Sequence, residues 1–156
     1  MIVISDNSPL SALAEADLID LLPKLYHEVV IPAAVAVEAS HARCPPALLR
    51  LLAAPPPWLR IVPDPLILPE TMSLDPGESA AISLAWTSRP TVQLIVDDLP
   101  ARKICESLGL SFTGTAGVVF AAAKRGWCDF EEGIRRLQAT RFRITNAVIE
   151  ELRKKF

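Results

Sequence analysis

The sequence predicts an α/β fold in which a parallel central β-sheet is flanked by α-helices, and three observations carry the prediction. Short runs of strand composition alternate with helical segments along nearly the whole chain, the order that crossover-connected parallel strands require. The run Leu94-Ile95-Val96 is continuously apolar, as a strand covered on both faces should be. Two such runs end in acids, Ile2-Val3-Ile4-Ser5-Asp6 and Leu94-Ile95-Val96-Asp97-Asp98, and each is followed at once by a helix-start signal. In an open parallel sheet the carboxyl ends of the strands share one edge, where ligands bind.

The elements follow in order. The first strand covers 2–5, and Ser8-Pro9 reads as an N-cap with proline at the first helical position, opening a helix to about residue 16. Leu18, Leu21, Leu22 and Leu25 have the spacing of a second amphipathic helix, and 28–31 is a brief β-rich run. Pro32 opens a helix carrying Val35, Glu38 and His41, and Pro45-Pro46 opens another to about residue 53. Residues 54–76 are rich in proline, so only 59–62 reads as a strand, and at an edge, because proline cannot donate to a central ladder. Asp75 caps an Ala-rich helix that runs to residue 87, with Glu78 three residues on completing a capping box. A strand at 93–96 comes next, then a helix at 99–108 stopped by Gly109. A short strand at 110–112 leads into a helix at 116–125 closed by Gly126. Two more helices fit 130–139 and 146–155, the last placing Ile144, Val148 and Leu152 on one face.

A chain of 156 residues with 51% hydrophobic content can bury the core of a single domain, 1–156, without covalent staples. Cys44, Cys105 and Cys128 are odd in number and irregular in spacing, giving neither a disulfide framework nor a zinc pattern. Apolar runs stop well short of the roughly 18 residues a membrane span needs, and no basic leader precedes them, so a cytoplasmic location is expected. The net charge of −2 does not advertise nucleic-acid binding, but its distribution is uneven. Residues 1–123 hold 7 basic and 13 acidic side chains, and residues 124–156 hold 9 basic and 5 acidic. An acidic site with a basic tail suits a polyanion, with Arg135, Arg136, Arg141, Arg143, Arg153, Lys154 and Lys155 available to phosphates. A solvated helical face accounts for the same residues.

Carboxylates gathered at one sheet edge repel one another unless a hard cation neutralises them, so Asp6 and Asp98, with Asp97 as the alternative to Asp98, suggest a divalent-metal site. Taken singly each acid has a plainer role. Glu78 completes a cap, Asp6 and Asp98 stand where a helix dipole favours negative charge, and Glu38 is an ordinary helical glutamate.

As a set, Asp6-Asn7-Ser8, Glu38, Glu78 and Asp98 resemble, in order and approximate spacing across nearly the whole chain, the four-acid pattern of PIN-domain nucleases. The segments SDNSPL, LDPGE, VDD followed by Arg102, and TGTAG are most similar to a prokaryotic PIN-related family near the VapC-type toxins. The resemblance implies a Mg²⁺- or Mn²⁺-dependent endoribonuclease, often the toxin paired with a small antitoxin protein. It implies Asp6, Glu38, Glu78 and Asp98 as the catalytic acids, with Asp6, Glu78 and Asp98 or Asp97 on the metal. Such ions activate water and stabilise the leaving oxygen in phosphodiester hydrolysis.

Ser8, Arg102, Thr113 and Thr115 are the candidate substrate contacts, Thr113-Gly114-Thr115 because its backbone amides open a helix and can hold a phosphate. The same motif lacks the glycine spacing and lysine of a P-loop, which argues against nucleoside triphosphates. His27 and His41 have no metal or triad spacing. A strand-terminal aspartate also serves phosphotransferases, but Asp6-Asn7-Ser8 lacks a second aspartate two residues on. The main alternative is a non-catalytic PIN-like module that binds protein or RNA. The apolar segment 18–25 and the proline-rich stretch offer surfaces for a homodimer.

Overall fold

A computed structural model describes residues 1–41 and 43–156, and its architecture is the predicted one. Five strands, β1 (Ile2–Ser5), β2 (Val29–Pro32), β3 (Leu59–Val62), β4 (Val92–Ile95) and β5 (Ser111–Thr113), form one sheet in the order β3-β2-β1-β4-β5. Every neighbouring pair is parallel. The helices are α1 (Asn7–Glu15), α2 (Leu21–Leu25), α3 (Ala33–Ala39), α4 (Pro46–Ala53), α5 (Pro76–Thr87), α6 (Leu99–Ser107), α7 (Thr115–Lys124), α8 (Phe130–Gln138) and α9 (Asn146–Arg153).

The chain steps outward from β1 through β2 to β3, then crosses back through α5 to lay β4 on the other side of β1. Strand order therefore reverses between β1 and β4, the position at which the loops leaving adjacent strands diverge and open a crevice. The register sets the ends of the inner strands level, with Ser5 opposite Ile95 and Ile95 opposite Thr113. Pairing runs one residue further: the Asp6 amide donates to the Ile95 carbonyl (3.0 Å) and the Val96 amide to the Thr113 carbonyl (2.9 Å). Asp6 and Asp97 thus leave the sheet side by side.

All four residues of β2 are buried, as are Val3, Ile4, Leu94 and Ile95, so the inner strands carry the continuous apolar character that a doubly covered sheet needs. α1, α2, α7 and α8 pack on one another as one helical group. The Ala-rich α5 lies on β1, β2 and β4 and also against α3. Its buried Ala80, Ala81 and Ala85 keep the helix close to the strands, which brings its first turn to the sheet edge.

Four expectations are corrected. α1 begins two residues earlier than Ser8-Pro9 suggested: Asp6 is the N-cap, and Pro9 occupies the third helical position, where a missing N–H still leaves no helical bond unmade. Pro32 both ends β2 and caps α3, as expected, but α3 stops at Ala39, leaving His41 beyond it. Leu18, Leu21 and Leu22 are core residues, so segment 18–25 has no apolar face left for a second copy. In α9 the fully buried residue is Ile149; of the expected face, Leu152 and Ile144, the latter ahead of the helix, pack partly buried against the core, while Val148 is 41% exposed. No described helix is long and apolar enough to cross a membrane.

Leu94 is fully buried in an inner strand. Leu94→Ala leaves a cavity between two helical layers and is expected to cost about 2–5 kcal/mol. A lowered urea midpoint with unchanged denaturant slope is the expected reading.

Candidate functional site

Asp6 follows β1, and although it caps α1 its side chain makes no capping hydrogen bond. The carboxylate is 3% exposed and its Oδ1 has no hydrogen-bond partner, an arrangement that costs free energy unless something outside the chain completes it. Glu38 reaches the same place from α3. Its Oε1 accepts from the Gly77 amide at 2.8 Å, tying α3 to the first turn of α5. A Cβ at position 77 would fall on the Glu38 carboxylate, so only glycine permits this approach.

Asp75 completes the group. It is the N-cap of α5, accepting from the Glu78 amide at 2.8 Å, and one of its oxygens still faces the other acids. Ligand oxygens of Asp6, Glu38 and Asp75 all lie within 4.8 Å of one another. Three hard oxygen donors at this separation, one of them a buried orphan, fit a Mg²⁺- or Mn²⁺-like cation that keeps part of its water shell.

Electrostatics tell the same story. Burial, with Asp75, Glu38 and Asp97 adding repulsion, pushes the Asp6 carboxyl from 3.8 to about 7 against the lowering effect of the Asn7 amide. Burial and the charges of Asp6, Asp75 and Asp98 push Glu78 to about 8. Glu38 is also raised, by burial first and then by Asp75, with the Gly77 amide and His41 opposing. No basic side chain is among the groups that set Asp6 or Glu78.

The tandem acids after β4 behave differently from each other. Asp97 turns inward: its Oδ1 accepts from the Thr115 amide (2.8 Å) and its Oδ2 from the Thr115 hydroxyl (2.6 Å). Asp97 thereby sits on the N-terminus of α7, satisfying donors that would otherwise be free for a phosphate. Arg102 supports it, donating from Nε to the Val96 carbonyl (3.0 Å) and lying 5.2 Å over the Phe112 ring. A Cβ at Gly114 would come within 2.8 Å of Asp97 Oδ1 and 2.7 Å of Arg102 Nη2, so the close fit depends on glycine there. Asp98 is exposed and caps α6 through the Ala101 amide at 3.3 Å.

Of the acids named from sequence, the structure brings Asp6 and Glu38 together, sets Glu78 close enough to share their field, and leaves Asp98 at the rim. Asp75, read from sequence only as a cap, belongs to the tightest group. The one available signal was the glycine between two acids in Asp75-Pro76-Gly77-Glu78, a residue that admits another chain segment close to the backbone. Ser8 borders a cleft beside Glu38, and Arg102 and Thr113 border one beside Asp97, whereas Thr115 is buried.

A parallel sheet with a recessed cluster of carboxylates at its topological switch point defines an α/β fold that carries a candidate divalent-cation site where such folds bind ligands. A family model, DUF3368, described as a PIN domain, matches residues 2–156. The chain belongs to this PIN-domain family, a nuclease fold. Neither the curated proteins nor the solved structures compared with it give a match.

The raised carboxyls carry a sign. Metal-free folded protein keeps protons on Asp6 and Glu78 that the unfolded chain has released, so their contribution to stability declines as pH rises from about 4 through about 8. Metal-free protein is therefore expected to show a lower urea midpoint at pH 8 than at pH 5.5, and Asp6→Asn to shrink that difference. An unchanged difference in the variant would place the effect elsewhere. Gly77→Ala displaces the Glu38 carboxylate and is expected to weaken Mn²⁺ binding roughly 10-fold or more by titration, with the circular-dichroism spectrum preserved.

Proposed function

We propose that this chain is a metal-dependent endoribonuclease, acting as one domain in the cytoplasm and hydrolysing RNA phosphodiester bonds. The observation that carries the reading is the convergence of the Asp6, Glu38 and Asp75 carboxylates at the switch point of a PIN-family fold. Mg²⁺ or Mn²⁺ is the ion this donor set suits. When bound, such a cation supplies Lewis acidity toward a phosphodiester and makes water a competent nucleophile near neutral pH.

The side chains divide the remaining work. Asp6 is the central ligand, because its buried Oδ1 has no other use. Glu38, fixed by the Gly77 amide, and Asp75, fixed by its cap, hold the second and third positions. Glu78, whose carboxyl burial and neighbouring acids push up to about 8, is placed to hold or hand on a proton at its carboxylate oxygens. Asp98 stands at the open rim within reach of Glu78's field, suited to act through ordered water. Asp97 we assign to positioning: through Thr115 it locks the start of α7 against the end of β4, with Arg102 behind it.

The resemblance of SDNSPL, LDPGE and TGTAG to families near the VapC-type toxins supports the further reading of a type II toxin held by a small antitoxin. The exposed Leu66 and Ile67 in the proline-rich strap leave room for a second copy or that partner.

Purified protein is expected to cleave RNA in Mn²⁺ and not in chelator. Asp6→Asn should lower the rate by about 100-fold or more at unchanged secondary structure, because it removes the central ligand. Cleavage at the parental rate in Asp6→Asn would sink the assignment. Tight Mn²⁺ binding without turnover on diverse RNAs would instead mark a non-catalytic binding module.

A further inference from the structure

Asp75 differs from its two companions in how it reaches the acid cluster. Asp6 is the direct continuation of β1 and Glu38 stands in α3, whereas the chain comes to Asp75 through residues 63–74, which hold no strand and only one short helical turn, Pro69–Thr71. A carboxylate oxygen of Asp75 is nevertheless kept within 4.8 Å of those of Asp6 and Glu38. Carboxylates that close repel, and after burial itself the Asp75 charge is among the causes that raise both neighbours. The member carried by the least regular backbone is the one that repulsion would displace.

Two fastenings oppose it. The carboxylate accepts from the Glu78 amide, and the backbone that delivers it is tied to α5. Ser79 Oγ donates to the Thr71 carbonyl at 2.6 Å, and the same carbonyl accepts from the Leu74 amide at 3.0 Å, so the turn leading into Asp75 is pinned to the helix that Asp75 caps. The Ser79 amide also donates to the Asp75 carbonyl at 3.0 Å. One serine therefore holds both Asp75 and the turn before it.

One helical turn further on, Ser83 Oγ accepts from the Leu68 amide at 2.9 Å, and Thr71 Oγ1 joins the two fastenings by donating to the Leu68 carbonyl at 2.8 Å. Thr71, Ser79 and Ser83 are 0%, 5% and 1% exposed, so these bonds are made away from bulk water. Serine is a poorer helix former than alanine, yet two serines stand in an otherwise Ala-rich helix. A serine inside a helix commonly donates to the carbonyl one turn back, whereas Ser79 donates out of the helix to the strap. Alanine at 79 would suit α5 better and leave the strap unpinned.

We propose that Ser79 is a positioning residue for the acid cluster: by pinning the Thr71 carbonyl it fixes the backbone that delivers Asp75, and so holds the third carboxylate in place against the repulsion of the other two. Ser83 fastens the strap at Leu68, seven residues before Asp75, and serves the fold without setting the carboxylate. For its consequence, though not for its geometry, the inference rests on the cation reading of Asp6, Glu38 and Asp75.

The test sets two readouts side by side in the full chain. One is Mn²⁺ affinity by isothermal titration; the other is hydrogen exchange of the Glu78 amide in metal-free protein, since that amide is the donor to the Asp75 carboxylate. Ser79→Ala is expected to weaken Mn²⁺ binding roughly 10-fold and to speed Glu78 amide exchange, with a urea midpoint close to the parent's because the helix itself gains. Ser83→Ala leaves the Leu68 amide without its acceptor, and is expected to lower the urea midpoint while Mn²⁺ affinity stays within about 2-fold of the parent. In an Asp75→Asn background, Ser79→Ala is expected to cost no further affinity, as befits a residue that acts through another.

Parental Mn²⁺ affinity in Ser79→Ala, a loss that adds in full to that of Asp75→Asn, or equal losses of affinity in Ser79→Ala and Ser83→Ala would each overturn the proposal. A parent chain that binds no Mn²⁺ removes the cation reading instead, and the Glu78 amide then decides. Faster exchange in Ser79→Ala but not in Ser83→Ala upholds the positioning of Asp75, and the same rate in both variants refutes it.

Discussion

The constraint on which the rest of this structure depends is the cost of holding negative charge away from water at a sheet edge. Asp6 is walled in by apolar strands and by other acids, and its Oδ1 has neither a donor nor a cation beside it. A fold selected for stability alone would place an asparagine or an apolar residue there, since an unpaired buried carboxylate costs far more than a satisfied amide. Local strain of this kind persists where the surrounding framework over-determines it. Here the framework is ample: β1 is clasped between β2 and β4, and α5 lies across all three strands.

The supporting contacts share one logic. Three acids near the recess are oriented by backbone amides: Glu38 by Gly77, Asp75 by Glu78 and Asp97 by Thr115, with the Arg102 guanidinium also acting on Asp97. Amide donors orient a carboxylate while leaving its full charge available, whereas a lysine or arginine would neutralise it. Glycines at 77 and 114 permit the close approaches on which two of these bonds depend. Small alanines in α5 serve the same end at the level of packing, by keeping the helix that carries Asp75 and Glu78 near the strands that carry Asp6 and Asp97.

Much of the fold was legible in the sequence because its signals are local. Apolar runs, proline and glycine punctuation and caps placed all five strands, with β3 at the predicted edge. The misreadings arose where distant packing overrides local chemistry. Ser8-Pro9 looks like a helix start, yet the chain is already helical at Asn7 because the Asp6 amide is still paired to β4 and the turn must follow immediately. Ile144 and Leu152 pack against the core as their spacing suggests, yet Val148 between them is exposed and Ile149 is the buried residue, since the position of α7 is invisible to periodicity. At the site, Asp6 was visible as an acid at the right edge, and Glu38 only through the family resemblance. Asp75 was hidden by its role as a cap, and the different environments of Asp97 and Asp98 depend on Thr115, eighteen residues away.

The acids at 6, 38 and 75 all precede β4 in the chain, but the recess that isolates Asp6 has β4 as one of its walls. A nascent chain that has not yet emitted Val92–Ile95 therefore carries every member of the triad while Asp6 remains hydrated, with an ordinary carboxylate's indifference to trace ions. The recess is closed at a single late step of assembly, when the last inner strand slots in beside β1. Until then the three carboxylates are no more than separate acids on an unfinished edge.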